Sequence, residues 1–413
     1  MPQHAIRIDP ERLKTLLNGV NRFGFVPETG GYTRPGFTRV DLECRDWFEA
    51  QMRADDLQVW RDGALNLFGR YGPEDGPCVM AGSHLDTVVN GGAFDGALGA
   101  CVALECVRTM KDAGITPRTA IEVAATSEEE GRFGGMLGSQ AISGAITPAW
   151  IEQAIDADGI RLRDAMNSLG LEPMDILKAA RPAGSINAFL ELHIEQGPVL
   201  EAEEFPIGIA EEVSGVCYLE LELTGIANHS GTTPMHLRAD AFAGLSELAG
   251  TIPDLIQMHG TDQSRFTIGH VELSPNHPHT IPGRAVFSVI LRDTSEEIMV
   301  GLKSRFLESA DIVANRHRLK LNKTERSWLS PVSLDSELAD KLADLAERNE
   351  LPARRMPSGA GHDAQTMQSF CPSGLIFVPS RAGISHAPEE HSDWSDIEKG
   401  ANLMLQALLD LSG

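Results

Sequence analysis

GPCVMAGSHLDTVVNGGAFDGALGACVALECVRTMKDAGITPRTAIEVAAT, residues 76–126, contains the pattern from which the architecture of the chain follows. A short apolar run at 76–83 leads through a glycine-containing turn into a helical stretch at 97–114, and a second apolar run follows at 119–126. Two buried-strand patterns joined by a helix predict a βαβ unit with parallel strands. Polar residues follow both runs, at the strand ends where ligand sites of such sheets lie.

The same alternation continues on both sides of a central segment. Two further strand candidates and two helical stretches occur, at 188–197, 374–380, 336–349 and in a C-terminal stretch to about 411. We therefore predict an α/β fold, with a mostly parallel sheet flanked by helices, formed by residues 1–212 together with 330–413.

The central segment, residues 213–329, has a different order of elements. Strand, helix, strand, strand, helix and strand are predicted over 218–225, 238–259, 265–273, 285–293, 295–313 and 318–327. The first of these strands alternates apolar and polar residues, which is typical of a strand with one exposed face. The order β-α-β-β-α-β predicts a ferredoxin-like α+β domain inserted into the α/β domain.

Composition narrows the class of protein. The net charge of −24 disfavours a nucleic-acid-binding surface, which needs clustered Lys and Arg. No stretch approaches the roughly 18–20 continuous apolar residues of a membrane span. The six cysteines are scattered without a CxxC pair, as reduced and buried thiols are. We therefore predict a cytoplasmic protein that binds neither nucleic acid nor membranes.

The turn after the first strand carries an H-x-D pair and a second aspartate. In GSHLDTVVNGGAFDG (82–96), His84 and Asp86 are two residues apart, so an extended backbone directs both side chains to one face. A histidine held by a carboxylate is a common metal ligand. Asp95 follows two glycines that let the backbone return towards His84. A simple turn or helix-cap role for Asp95 is the alternative.

Other polar residues follow the remaining strand candidates. His193 lies near the end of the third, His386 lies in a loop after the fourth, and three glutamates at 128–130 follow the second. His193 alone would be an ordinary core histidine. The set meets at one edge of the predicted sheet, and imidazole and carboxylate ligands without thiolates suit Zn, Mn, Co or Ni. A carboxylate shared by two metals would make a dinuclear site.

Seven motifs between 82 and 390 occur in the same order as in a known enzyme superfamily. They are GSHLDTVVNGGAFDG, SEEEGRF, LELHIEQGPVLE, ANHSGTTPM, IPG followed by LRD, SGAGHDA and ISHAPEE. The chain resembles the dinuclear-metal aminoacylase and carboxypeptidase superfamily. It is most similar to the amidase branch with N-carbamoyl-L-amino acid hydrolases, β-ureidopropionases and allantoate amidohydrolases. The resemblance implies a Zn-peptidase-like catalytic domain, an inserted dimerisation (lid) domain, a homodimer and two divalent metal ions per subunit.

The resemblance also implies roles for single residues. The expected metal ligands are His84, Asp95, Glu129, His193 and His386. Asp86 is expected to be a catalytic residue whose carboxylate holds the His84 ring. The family pattern Glu-Glu-x-x-Arg-Phe, matched without a gap, makes Glu128 the general base and Glu129 a metal ligand, and leaves Glu130 without a role. A one-residue gap would shift these roles to Glu129 and Glu130.

The expected substrate contacts are Gln196, His229, His279, Arg292 and Gly361. The resemblance implies that His229 stabilises the oxyanion in the partner subunit's active site and that Arg292 pairs with a substrate carboxylate. A surface histidine and a surface salt bridge are the alternatives. The family commonly has Asn-x-Ile-Pro-Gly where this chain has HTIPG, so His279 replaces the usual asparagine and leaves the exact substrate open.

The favoured function is hydrolysis of the carbamoyl C–N bond of an N-carbamoyl-L-amino acid, a small anionic molecule with a free carboxylate. Hydrolysis of allantoate, N-acyl-amino acids or dipeptides at the same metal site is the alternative. A metal-binding protein without catalysis is disfavoured because base, ligands, His229 and Arg292 occur together. A serine hydrolase is disfavoured because no G-x-S-x-G motif is present.

Overall fold

The computed structural model describes residues 6–413, so residues 1–5 of the predicted α/β segment lie outside the described residues. The described chain forms two compact units. One comprises the residues up to Glu211 and those from Ser333 onward, and the other is Glu212–Val332. No helix in this part of the chain combines the length and apolar character needed to cross a bilayer.

The first segment contains the elements that surround the polar motifs. Its strands are β1 (Phe25–Val26), β2 (Gly31–Tyr32), β3 (Gln58–Arg61), β4 (Leu67–Tyr71), β5 (Cys78–His84), β6 (Ala120–Thr126), β7 (Ile186–Ile194) and β8 (Ile207–Val213). Its helices are α1 (Pro10–Val20), α2 (Arg39–Ala54), α3 (Ala97–Asp112), α4 (Leu137–Ser143), α5 (Pro148–Gln153), α6 (Leu162–Ser168) and α7 (Val199–Ala202).

The second unit and the return to the first follow. The second unit has β9 (Gly215–Thr224), β10 (Asn228–His229), β11 (Arg265–Thr267), β12 (Val271–Ser274), β13 (Thr280–Ile281), β14 (Arg284–Asp293) and β15 (Lys320–Leu329), with α8 (Ala241–Gly250), α9 (Ile252–His259) and α10 (Glu296–Arg316). The last segment has β16 (Val332–Ser333), β17 (Ala353–Ser358), β18 (Ser373–Val378), α11 (Ser336–Arg348), α12 (Asp363–Met367) and α13 (Trp394–Ser412).

The first unit is built on one mixed sheet with the order β16-β8-β18-β7-β5-β6-β4-β3. The central strands β18, β7, β5 and β6 are mutually parallel, whereas β8, β4 and β3 pair antiparallel with their inner neighbours. The predicted βαβ unit is confirmed, because β5 and β6 are parallel and α3 connects them. Every residue of β5 is buried, as in a strand covered on both faces.

The second unit has an antiparallel sheet with the order β11-β14-β9-β15, and β12 also pairs with β14. Residues of β9 alternate between buried and half-buried, as predicted. The predicted helix at 238–259 is instead two helices, because Pro253 lacks the N–H needed to continue α8 and lies in the first turn of α9. The predicted strand at 265–273 is likewise divided into β11 and β12.

Candidate metal centre

The polar motifs meet because parallel strands end at the same edge of the sheet. His84 is the last residue of β5, the glutamates begin two residues after the end of β6, and His193 is the penultimate residue of β7. His386 lies in the loop after β18. The carboxyl ends of parallel strands lie at one edge of the sheet, so polar residues at or after these ends are brought together there.

Asp95 is the centre of this cluster. Its Oδ1 lies 3.3 Å from His84 Nε2 and 3.2 Å from His193 Nε2, and its Oδ2 lies 3.5 Å from His386 Nε2. The carboxylate is almost completely buried. One oxygen therefore faces two imidazoles and the other faces a third, as the oxygens of a carboxylate shared between two metals would.

Main-chain contacts fix which imidazole nitrogen faces Asp95. His84 Nδ1 lies 3.0 Å from the carbonyl oxygen of Asp86, and His193 Nδ1 lies 2.9 Å from that of Ile194. Only a protonated Nδ1 can donate to a carbonyl, so Nε2 is the lone-pair nitrogen of each ring. Gly96 completes the packing, because a Cβ at this position would overlap the His84 ring.

The three glutamates occupy different environments. Glu128 has a φ of 53°, so the chain leaves strand geometry there. Its Oε1 accepts a hydrogen bond from the Phe133 N–H at 2.6 Å, and burial raises the pKa of the carboxyl to about 8. Glu129 Oε2 instead lies 3.5 Å from His84 Nε2, and Glu130 Oε2 lies 3.4 Å from His386 Nε2.

This geometry does not fit the ungapped register. Glu128, expected as the base, is turned towards the backbone of its own loop, and Glu130, expected to have no role, lies among the candidate ligands. The cause is local: the left-handed conformation at Glu128 turns the two residues after it towards the histidines. The arrangement fits the register with a one-residue gap.

Asp86 holds this turn in place. Its two carboxylate oxygens accept the backbone N–H groups of Glu129 and Glu130, at 3.3 and 3.2 Å. Its carboxylate is 3.9 Å from His84 Nδ1, so the main-chain oxygen, and not the carboxylate, makes the closer contact with the ring. Asp86 therefore connects the H-x-D motif to the glutamate motif.

Glu390 is a buried residue that the sequence reasoning did not single out. Its Oε1 accepts the N–H groups of Phe94 and Asp95, at 2.9 and 3.0 Å. Its Oε2 accepts the Ser385 hydroxyl at 3.0 Å and the His386 N–H at 3.3 Å. One carboxylate thus joins the Asp95 turn to the His386 loop. The sequence signal that could have indicated Glu390 is its position in the ISHAPEE motif.

Charge and donor chemistry fit divalent cations. In three groups among the described residues, the possible ligand atoms all lie within 4.8 Å of one another. Two groups share Asp95, one with His84 and His193 and one with Glu130 and His386, and the third is Glu191, His193 and His362. Burial and the charge of Asp95 raise the pKa of Glu130 to about 7, and a hydrogen bond that the imidazole donates to Asp95 raises the pKa of His386 to about 9. Cations would neutralise these crowded carboxylates, and the N/O donor set suits Zn, Mn, Co or Ni.

The predicted substrate contacts are divided between the units. In the first unit, Gln196 Nε2 donates to Asp95 Oδ2 at 2.7 Å, while Gly361 directly precedes His362, whose ring packs against His193. The other three contacts are in the second unit. There, the backbone N–H of Ser230, next to His229, donates to the carbonyl oxygen of His279 at 3.0 Å.

Two features of the second unit bear on the predicted roles. The N–H groups of Gly231 and Thr232 donate to His229 Nδ1 at 3.1 and 3.2 Å, so the proton of this exposed imidazole is on Nε2. Arg292 is a half-buried residue of β14, and desolvation lowers the pKa of its guanidinium.

A mixed α/β sheet whose parallel strands end in buried imidazoles and carboxylates defines a class, the metal-dependent hydrolases. Comparison with known proteins identifies the family. Residues 80–410 match the model of Peptidase family M20/M25/M40. An N-carbamoyl-L-amino-acid amidohydrolase of Paenarthrobacter aurescens is 36% identical over 402 residues, 96% of this chain and 97% of the relative.

Two further relatives agree. An allantoate amidohydrolase of Escherichia coli (strain K12) is 34% identical over 408 residues, 97% of this chain and 98% of the relative. A crystal structure of an amidase of the hydantoinase/carbamoylase family from Burkholderia multivorans has a TM-score of 0.89 at 31% identity and covers 98% of both chains. The chain belongs to Peptidase family M20/M25/M40 and is a hydrolase acting on C–N bonds. Enzymes of this family use divalent metals, which agrees with the ligand groups around Asp95.

Proposed function

We propose that this hydrolase cleaves the carbamoyl C–N bond of an N-carbamoyl-L-amino acid or a closely related ureido acid. One water is consumed, and the products are the amino acid, ammonia and carbon dioxide. The observation that carries the proposal is the shared carboxylate, since Asp95 Oδ1 faces His84 and His193 while Oδ2 faces His386. Relatives named for N-carbamoyl-L-amino acids and for allantoate support a ureido acid as the substrate.

We assign two divalent metals, each of them Zn, Mn, Co or Ni, to this centre. His84, Asp95 and His193 would hold one, and Asp95, Glu130 and His386 would hold the other. When bound, such metals supply Lewis-acid activation of water and of the scissile carbonyl.

The chain's own groups supply proton transfer and charge stabilisation. Glu129, which lies beside His84, takes the proton of the attacking water and delivers it to the leaving nitrogen. His229 donates through Nε2–H to the oxyanion, and Arg292 pairs with the substrate carboxylate. Gln196, His279 and Gly361 complete the substrate contacts.

We also propose a cytoplasmic homodimer formed through the second unit, which contributes His229 to the partner's site. Large exposed apolar residues support this surface, among them Ile226, Met235, Leu237, Met258 and Ile312. Exposed apolar side chains of this size are common at protein interfaces. The oligomeric state is measurable by light scattering.

A substrate panel with metal analysis tests the proposal. Metal-loaded enzyme is assayed with N-carbamoyl-, N-acetyl- and dipeptide substrates of one L-amino acid, and with allantoate. The highest kcat/KM is expected for N-carbamoyl substrates. Allantoate is the second candidate, because the relative named for it is 34% identical, close to the 36% of the carbamoyl-named one. Activity confined to N-acetyl substrates or dipeptides would overturn the proposal.

A further inference from the structure

Gln365, on α12, has an amide group without any partner. The residue is 3% exposed, and neither Nε2 nor Oε1 has a hydrogen-bond partner among residues 6–413. A buried donor and a buried acceptor left unpaired destabilise a folded protein, so such groups are rare. Their presence in one side chain indicates that a ligand uses them.

The helix that carries this amide begins beside residues of the metal centre. α12 begins at Asp363, whose Oδ2 accepts a hydrogen bond from the Thr126 hydroxyl, at the end of β6, at 2.5 Å. The preceding residue, His362, packs against His193 with ring centroids 4.6 Å apart. Gln365 Oε1 is 3.4 Å from the position that a Cβ of Gly361 would occupy.

Met136 covers this space. Its methyl group overlaps the position of a Cβ on Gly361, so the glycine provides the room that the methyl fills. Met136 is half-buried and begins the turn into α4 with a φ of 55°. Its unbranched thioether side chain changes rotamer easily, so it can withdraw when a ligand approaches the amide.

We propose that Gln365 recognises a ureido group of the substrate, an inference that rests on the proposed function. The amide presents one N–H donor and one C=O acceptor side by side. A ureido group presents the complementary acceptor and donor. A carboxylate presents acceptors alone, and an N-acetyl group has a methyl in place of the NH₂. Gln365 therefore selects N-carbamoyl over N-acetyl substrates.

The test compares two substrates that differ only at that methyl. The kcat/KM values for N-carbamoyl- and N-acetyl-L-amino acids of one side chain are measured for metal-loaded wild type, Gln365→Met and Gln368→Met. Gln368 is the matched control, because it follows the same helix and its Oε1 accepts the Ser373 N–H at 3.0 Å. The melting temperature of each protein without substrate is the second readout.

For Gln365→Met we expect kcat/KM to fall about 10–100-fold with the N-carbamoyl substrate and less than about 3-fold with the N-acetyl substrate. The melting temperature should rise by about 2–4 °C, because two unpaired polar atoms are removed. For Gln368→Met we expect both substrates to change equally and the melting temperature to fall. Equal losses for both substrates in Gln365→Met, or an unchanged carbamoyl rate, would overturn the inference.

Allantoate identifies which ureido group is bound. A loss in Gln365→Met with both N-carbamoyl-amino acid and allantoate assigns the amide to the reacting ureido group, whereas a loss with allantoate alone leaves the carbamoyl rate unchanged and overturns the inference. Wild-type enzyme inactive on both substrates overturns the proposed function, which separates that failure from a failure confined to the variant.

Discussion

Replacing Glu390 by glutamine changes one atom of the carboxylate that joins the Asp95 turn to the His386 loop. The amide oxygen can stay on the N–H groups of Phe94 and Asp95, so its NH₂ group faces Ser385 and His386. The Ser385 hydroxyl can turn to accept, but the His386 N–H then faces a donor. This N–H is half-buried, so losing its partner costs at most about 1–3 kcal/mol, the range for a fully buried group. The damage therefore falls on the His386 loop and not on the Asp95 turn.

The consequence is a selective loss of metal. Disturbing a residue behind a ligand lowers metal affinity about 10–100-fold. In Glu390→Gln we expect this loss for the metal assigned to Asp95, Glu130 and His386, and an unchanged affinity for the other metal. Chelator competition with elemental analysis measures both affinities.

Glu389→Gln is the matched control, since Glu389 is the exposed neighbour in sequence. We expect two metals per chain with wild-type affinity in this variant. The reasoning is refuted if Glu390→Gln retains both metals at wild-type affinity, or if a folded variant loses both equally.

Three further predictions concern the same centre. Glu129→Gln should lower kcat about 10²–10⁴-fold while both metals are retained, and a wild-type kcat in this variant would contradict the proposed base. Glu130→Ala should lose metal, as measured by elemental analysis. Glu128→Gln should keep both its metals and its kcat. Gly96→Ala should lower stability by about 1–3 kcal/mol in urea titrations, and lower metal content, because φ is 59° there and a Cβ overlaps His84. Removing metals with a chelator should lower the melting temperature and abolish activity, and both should return on adding metal; a melting temperature indifferent to metal would contradict a centre that ties the strand ends together.

Periodicity and strand-end reasoning predicted the features that depend on several residues acting together. The βαβ unit of 76–126 follows from two apolar runs and a helical stretch, and parallel strands bring His84 and His193 to one edge. The resemblance to a metal-dependent amidase family is likewise confirmed by the family match. These predictions hold even where the boundary of a predicted strand or helix is wrong by one or two residues.

Features that depend on the conformation of a single residue do not follow from periodicity. The glutamate register depends on one left-handed residue, Glu128, and a pattern of three identical acids does not reveal which one turns away. The hydrogen bonds of Glu390 join the Asp95 turn to the His386 loop, which are far apart in the chain, so no local sequence pattern indicates them. The sequence pattern also missed β8, which lies beside β18 in the sheet.

The strand order has a consequence for the sequence of events during synthesis. β18 lies between β7 and β8, yet it leaves the ribosome only after the whole second unit. Until then, one edge of β7 exposes unpaired N–H and C=O groups, a template for pairing with other chains. His386 arrives with the same late segment. The nascent chain therefore completes its sheet and its metal centre together, in its last steps, and we expect a holding chaperone to bind the exposed β7 edge beforehand.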